Sequence, residues 1–149
     1  MAKAALFDGK VTSMSIYYRD LNNGPWVGIN EKEVFAPASL LKVPFLIGAL
    51  KYSESQPGFL QKRIVFTEDA IDDFTANIAD EMIVLGESYT VVELLERMII
   101  NSDNNAKNMI LTELRSAGFT KVLWNDLGMD EPSSSTPNDF LTVKEYSSF

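Results

Sequence analysis

Alternating polar and apolar residues predict β-structure at the beginning of the chain. Residues 11–18 alternate between two faces and are rich in β-branched and aromatic side chains, which favours a strand. A turn-forming cluster occupies residues 20–25, and the apolar run from Trp26 to Ile29 can pair back as a second strand. The pattern therefore predicts a β-hairpin, and a short apolar run at residues 64–66 is compatible with one more strand.

Helical spacing of apolar residues dominates the rest of the chain. An apolar segment from about Leu40 to Glu54 ends at the helix-stopping residues 56–58. Thr90 and Glu93 form a capping box in front of a predicted helix over residues 91–100, whose apolar stripe suits a core. Further helices are predicted over residues 105–116, over residues 120–127, and after a second capping box at Thr142 and Glu145.

The size and composition of the chain are those of one packed domain. It has 149 residues, of which 46% are hydrophobic and 11% aromatic. With the hairpin in residues 1–35 and the helical region in residues 36–149, the predicted fold class is α+β. No apolar run reaches the roughly eighteen residues that cross a bilayer. The net charge of −8, with no basic cluster, argues against binding to nucleic acid or to an anionic membrane.

Two residue types are missing from the sequence, and their absence limits the possible chemistry. Without cysteine there are no disulfides and no thiol catalysis. Without histidine there is no Ser-His-Asp catalysis and no His-ligated metal, which leaves lysine or a carboxylate as the base. The acidic stretch from Asp69 to Glu87 does not match a calcium loop and is interpreted as a solvated surface. The sequence predicts neither a cofactor nor a metal.

The first candidate catalytic motif is Ser39-Leu40-Leu41-Lys42, at the expected start of a buried helix. The serine and the lysine lie three residues apart and so share one helical face. In an apolar pocket desolvation lowers the pKa of a lysine, which can then take the proton of a serine hydroxyl. The motif alone is weak, because it is expected by chance in roughly half of chains this long. The alternative is an N-cap serine followed by a lysine that extends to solvent.

The second candidate motif is Ser102-Asp103-Asn104, between two predicted helices. This tripeptide is expected by chance in only about 0.02 of chains of this length. Its position between helices suits a loop that projects side chains into a cleft. The alternative is a polar cluster that merely caps the following helix.

In this order, the two motifs make the chain resemble the penicillin-recognising serine enzymes, namely class A β-lactamases and penicillin-binding proteins, whose motifs are Ser-x-x-Lys, Ser-Asp-Asn and Lys-Thr-Gly. The resemblance runs from about Thr12 to the C-terminus and is closest over residues 38–51 and 99–108. It implies a β-lactamase/transpeptidase-like fold with an antiparallel sheet and a mostly helical body. It also implies an extracytoplasmic location, although no signal peptide is recognisable here.

The resemblance implies a role for each motif residue. Ser39 would attack the carbonyl of a β-lactam or of a peptidoglycan-like amide and form an acyl-enzyme, and Lys42 would take its proton. Ser102 would relay a proton to the leaving nitrogen. Asn104 would bind the acylamino side chain of the substrate and orient Lys42, while Asp103 would brace the loop.

The chain departs from the family pattern in two respects. The third motif, Lys-Thr-Gly or Lys-Ser-Gly, does not occur, and the chain stops at Phe149 inside what resembles a mid-domain helix. We therefore expect one incomplete domain that needs a C-terminal segment, from the same protein or a second chain, and that is inactive alone. The nearest match to the deacylating glutamate is Glu131, but Ser135 stands where an asparagine is expected, so Glu131 is interpreted as a surface residue.

Two other functional hypotheses remain. A penicillin-binding, sensor or slowly deacylating domain would keep the acylation residues without efficient turnover. The lack of a matching glutamate and asparagine for deacylation favours this hypothesis. A purely structural helical domain would require both motifs to be accidental. Acylation without release would distinguish the sensor from the hydrolase.

Overall fold

The computed structural model describes residues 9, 11–72, 83–129, 131–133, 135–138 and 140–148. The chain divides into two compact units, the first made of residues 1–37 and 134–149 and the second of residues 38–133. Within the described residues, no helix combines the length and the apolar character needed to cross a bilayer. The predicted acidic surface falls partly outside the described residues.

The first unit contains the predicted hairpin. Strands β1 (Ile16–Arg19) and β2 (Trp26–Ile29) pair antiparallel, with Ile16 opposite Ile29, which confirms the hairpin. The strand predicted over residues 11–18 is shorter than expected. Its first residues have no ladder partner beyond the end of β2, and the Asn30 side chain instead donates to the Met14 carbonyl at 3.0 Å.

Among the described residues, the first unit also contains two short strands and a helix. Strand β3 (Val34–Phe35) pairs antiparallel with a strand near the end of the chain, which we number β6 (Leu141–Thr142). Thr142 and Glu145 form the predicted capping box, and the last helix, numbered α5 below, spans Val143–Tyr146. The pairing of β3 with β6 could not be foreseen, because two-residue strands carry no periodicity.

The second unit contains most of the helices. Helix α1 (Lys42–Ser55) follows a 3₁₀ turn (Ala38–Leu41), and Pro44 is its third residue, where the backbone N–H would lack an intrahelical partner anyway. The other helices are α2 (Val91–Ile100), α3 (Asn104–Ser116) and α4 (Phe119–Asp126). These bounds agree with the sequence predictions to within two residues.

The second unit also contains a small two-stranded sheet, whose strands lie between α1 and α2 along the chain. Strand β4 (Arg63–Val65) pairs antiparallel with β5 (Ser88–Thr90), which leads into α2 through the predicted Thr90 capping box. The short apolar run at residues 64–66 is therefore a strand, shifted by one residue.

The core of the second unit is formed by the inward faces of α1 to α4. Leu94, Met98, Ile110 and Leu114 are fully buried there. Helices α1 and α4 approach closely at Gly48, where an added Cβ would lie 2.6 Å from Leu123 Cδ2. The Phe45 and Trp124 rings pack edge to face with their centroids 6.2 Å apart. This packing holds the first turns of α1, which carry Lys42, against α4.

Candidate active site

Ser39 lies in the 3₁₀ turn that precedes α1. The residue before it, Ala38, has a left-handed backbone with φ +45°, an unfavourable conformation for a side chain with a Cβ. The alternative in which Ser39 is the N-cap of the helix is wrong. The N-cap position is Leu41, and the Ser39 hydroxyl lies 3.1 Å from the Ser102 hydroxyl instead. Because the 3₁₀ turn continues directly into α1, the serine is left free to point at the second motif.

Lys42 is the first residue of α1 and is buried, with 4% of its surface exposed. Its Nζ donates to Ser102 Oγ at 2.7 Å, to Ser39 Oγ at 3.3 Å and to the Ser102 carbonyl oxygen. These three acceptors match the three donors of an ammonium group. The alternative in which Lys42 extends to solvent is therefore wrong.

The electrostatic environment of Lys42 lowers the pKa of its side chain. Burial lowers the pKa of Lys42 below its ordinary value of 10.5, because the charged form loses solvation, and the positive charge of Lys107 lowers it further. The carboxylates of Asp103 and Asp72 oppose this shift. The net lowering means that the amine can lose its proton at a lower pH than a surface lysine and then accept one from a neighbouring hydroxyl.

Ser102 lies between α2 and α3, with φ +55°. This left-handed residue lets the chain reverse between the two helices while its hydroxyl faces Ser39 and Lys42. Asp103 is the N-cap of α3: its buried carboxylate accepts the backbone N–H of Ala106 at 3.1 Å. The capping alternative is thus correct for Asp103, whereas the Ser102 side chain is directed at the lysine.

Asn104 opens α3 and lines a cavity of about 550 Å³ beside Ser39 and Lys42. The hydrogen bonds of Lys42 within the described residues go to Ser39 and Ser102 and not to Asn104. The residues that line the cavity are Ala38, Ser39, Leu41, Lys42, Phe45, Asn104, Lys107, Leu111, Arg115, Trp124, Glu131 and Pro132. All of them belong to the second unit.

Sequence reasoning missed several residues of this cavity. Lys107, Leu111 and Arg115, which were missed, follow the predicted residue Asn104 at helical spacing on α3, a signal that was present in the sequence. Glu131 is exposed, as predicted, but it also lines the cavity.

Asn105 and Asn108 attach the segment before residue 73 to α3. Asn105 accepts a hydrogen bond from the Asp72 N–H at 2.8 Å, and Asn108 donates one to the Ala70 carbonyl at 3.1 Å.

The described residues contain no group of three or more acidic, histidine or cysteine side chains arranged to hold a metal ion. The site brings together two hydroxyls, a buried amine with a lowered pKa, an amide side chain and a cavity. This set can activate a hydroxyl as a nucleophile and return the proton to a leaving group.

Comparison with known proteins gives consistent matches. The sequence profile described as the beta-lactamase enzyme family matches residues 2–142. A beta-lactamase of Streptomyces albus G is 29% identical over 104 residues, which cover 68% of this chain and 33% of that protein.

Solved structures agree with this result. A mutant of PBP-A, solved as an acyl-enzyme complex with penicillin G, is 27% identical with a TM-score of 0.64, and the match covers 77% of this chain and 43% of that one. A beta-lactamase from Francisella tularensis has a TM-score of 0.74 at 22% identity, and the match covers 99% of this chain and 59% of that one. The chain thus has the β-lactamase/transpeptidase-like α+β fold and spans a third to three fifths of these relatives.

Proposed function

The chain belongs to the beta-lactamase enzyme family, and from this membership we propose that the full-length protein is a serine hydrolase that opens a β-lactam or a related amide through an acyl-enzyme on Ser39. An extracytoplasmic location, where such substrates occur, is part of the proposal.

The observation that carries this proposal is the convergence of three polar groups from two separate segments. Ser39 Oγ, Ser102 Oγ and Lys42 Nζ lie within 3.3 Å of one another. Ser39 and Ser102 are exposed, whereas the lysine beneath them is buried. A substrate can therefore reach the hydroxyls, while the amine that would accept a proton is shielded from water.

In the proposed acylation, protons pass only among these three side chains and the substrate. Neutral Lys42 takes the proton of Ser39 as Ser39 Oγ bonds to the substrate carbonyl carbon, which becomes a tetrahedral oxyanion. When the carbon–nitrogen bond breaks, Ser102 donates its proton to the leaving nitrogen and is reprotonated by the Lys42 ammonium. Water then cleaves the ester on Ser39. Asn104, at the edge of the cavity, would hydrogen-bond the acylamino group of the substrate.

A second candidate is a penicillin-binding or sensor domain that is acylated and then releases product slowly. Ser135, four positions after Glu131, favours this slow release of product. Its side chain is shorter than the asparagine of the family pattern and lacks the amide. Glu131 itself lines the cavity, which favours turnover. The two functions share the acylation step and differ in the fate of the ester.

Mass spectrometry of the intact full-length protein after exposure to benzylpenicillin tests the proposal. We expect an adduct of the mass of the penicillin, which Ser39→Ala abolishes and Ser55→Ala, a matched change of an exposed serine on α1, does not. An adduct that survives Ser39→Ala would contradict the assignment. Loss of the adduct over time indicates a hydrolase, whereas its persistence indicates a sensor.

We also propose that the 149-residue chain by itself does not turn over a β-lactam. The sequence has no Lys-Thr-Gly or Lys-Ser-Gly. In the family pattern this motif is expected to bind the substrate carboxylate, and its strand is expected to supply the second hydrogen-bond donor to the oxyanion. Loss of one such donor typically costs about 10²–10³ in rate. Hydrolysis of a chromogenic β-lactam by the isolated chain, above that of its Ser39→Ala variant, would contradict this.

A further inference from the structure

The cavity beside Ser39 has a cationic side whose groups take no direct part in the proton transfers proposed above. Lys107 follows Asn104 by one turn on α3, and both side chains line the cavity. Arg115 lines it two turns further along the same helix. Among the described lining residues Glu131 is the carboxylate that opposes these charges. The charged residues with which α3 lines the cavity are thus both positive, and the first residue of this helix, Asn104, is proposed to bind the acylamino group.

The ammonium of Lys107 is available to a ligand. Its counter-ion, Asp72, lies 3.7 Å away, which is an ion pair but is too long for a hydrogen bond. The Lys107 side chain is 25% exposed, so it is neither buried nor fully solvated. Asp72 is tied to α3 through its backbone N–H, which donates to Asn105. The lysine is therefore held at the edge of the cavity with donors left for an anion.

The remaining wall of the cavity is apolar. Phe45, Leu111 and Trp124 contribute to it, and the two rings are locked edge to face. A cavity of about 550 Å³ is large enough for the aromatic or aliphatic body of an acyl group. A ligand that fits both walls is an acyl group with an apolar body and a negative charge close to its amide.

We propose that Lys107 binds an anionic group on the acyl side chain of the substrate, so that the site prefers amides that carry a carboxylate on the carbon next to the acyl carbonyl. This inference rests on the proposed function, because it takes Asn104 as the group that binds the amide. A carboxylate beside that amide lies one helical turn from Asn104, where Lys107 can donate a charge-assisted hydrogen bond.

A matched pair of penicillins isolates this contact. Carbenicillin differs from benzylpenicillin by a carboxylate in place of one hydrogen on the carbon next to the side-chain carbonyl. The ratio of their acylation rates in the full-length protein is the readout, because any effect of Lys107 on the basicity of Lys42 acts on both compounds and cancels. Lys107→Gln removes the charge, Lys107→Arg keeps it, and Lys121→Gln is the control, on an exposed lysine of α4 outside the cavity lining.

We expect Lys107→Gln to lower the carbenicillin to benzylpenicillin ratio about tenfold, the value of one charge-assisted hydrogen bond. Lys107→Arg should retain most of the native ratio, and Lys121→Gln should leave the ratio unchanged. A ratio that does not move in Lys107→Gln, or that moves equally in Lys121→Gln, overturns the inference.

Binding to the Ser39→Ala protein separates this inference from the proposed function. That variant cannot be acylated on Ser39, so calorimetric affinities for the two penicillins report the subsite alone. A preference for carbenicillin that Lys107→Gln removes supports the anion subsite even if the native protein is never acylated. Equal affinities overturn the subsite even if Ser39 is acylated by both compounds.

Discussion

The segment Ala38–Lys42 and the segment Ser102–Asn104 each bring one hydroxyl to the site, but they hold it in different ways. In the first, the left-handed residue is Ala38, and the serine after it lies in a regular 3₁₀ turn. In the second, the left-handed residue is Ser102 itself. The first segment runs directly into the packed helix α1, whereas the second precedes helix α3, whose N-cap is Asp103.

The difference indicates where each segment can tolerate change. Backbone strain at Ala38 can be relieved without touching a polar group of the site. At Ser102 the left-handed backbone and the hydroxyl that faces Lys42 belong to the same residue, so a glycine that relieves the backbone also removes the hydroxyl. Left-handed non-glycine residues often mark functional sites, since the surrounding structure must offset their cost. The following predictions test this comparison.

The largest effect is expected at Lys42, which joins the two segments. Lys42→Arg should lower the rate of acylation by about 10²–10⁴, because a guanidinium remains protonated and cannot accept the proton of Ser39. Stopped-flow acylation by a chromogenic β-lactam measures this in the full-length protein. Lys51→Arg, on the exposed side of α1, is the matched control. An arginine variant with nearly native rates would rule out the proton-acceptor role.

Two substitutions at Ser102 separate its backbone from its hydroxyl. Ser102→Ala and Ser102→Gly should both lower acylation about 10²-fold, since each removes the proton relay. Their stabilities should differ, with the glycine variant more stable by about 1 kcal/mol because φ +55° costs glycine little. Chemical denaturation compares the two variants. Equal stabilities would show that the left-handed backbone is not maintained without the hydroxyl.

The pH dependence of acylation reports the protonation of Lys42. Burial lowers the pKa of Lys42, and only the neutral amine accepts a proton, so the rate should rise about tenfold per pH unit and level off below pH 10.5. Lys107→Gln removes a positive charge that lowers this pKa, and the profile should then shift to higher pH. A shift to lower pH, or a flat profile, would contradict this electrostatic account.

Asp103 should matter for stability through the cap of α3. Asp103→Ala removes the acceptor of the Ala106 N–H and should lower the free energy of unfolding by about 1–2 kcal/mol. Asp103→Asn keeps a capping oxygen and should lose less. Thermal unfolding of the two variants measures the difference, and an alanine variant as stable as the native protein would mean that the cap does not hold the second segment.

The smallest effect is expected at Ala38. Ala38→Gly relieves the left-handed backbone but raises the entropy of the unfolded chain, so the net gain should be about 0.5 kcal/mol. The acylation rate should stay within about twofold, because no polar group of the site changes. A large loss of rate would show that the Cβ of Ala38 orients Ser39.

Local sequence signals predicted most individual elements. The capping boxes at Thr90 and Thr142 marked the starts of two helices, since a helix N-terminus is satisfied by side chains only a few residues away. The strand Trp26–Ile29 was predicted at its observed bounds from its apolar run and the turn before it. The pairing of β3 with β6, and the shift of Ser39 out of the N-cap position, could not be predicted, because they depend on partners distant in the chain.

The sequence by itself determined which types of side chain are available for catalysis. Without histidine and cysteine, a serine-based mechanism had to use lysine or a carboxylate as its base, and the two motifs supplied the candidates. Only the tertiary structure decided that Lys42 is buried beneath both serines, that its pKa is lowered, and that Lys107 lines the same cavity as Asn104. The physical reason is that solvation and charge at a point in space depend on every segment packed around it, whereas a motif records only the neighbours along the chain.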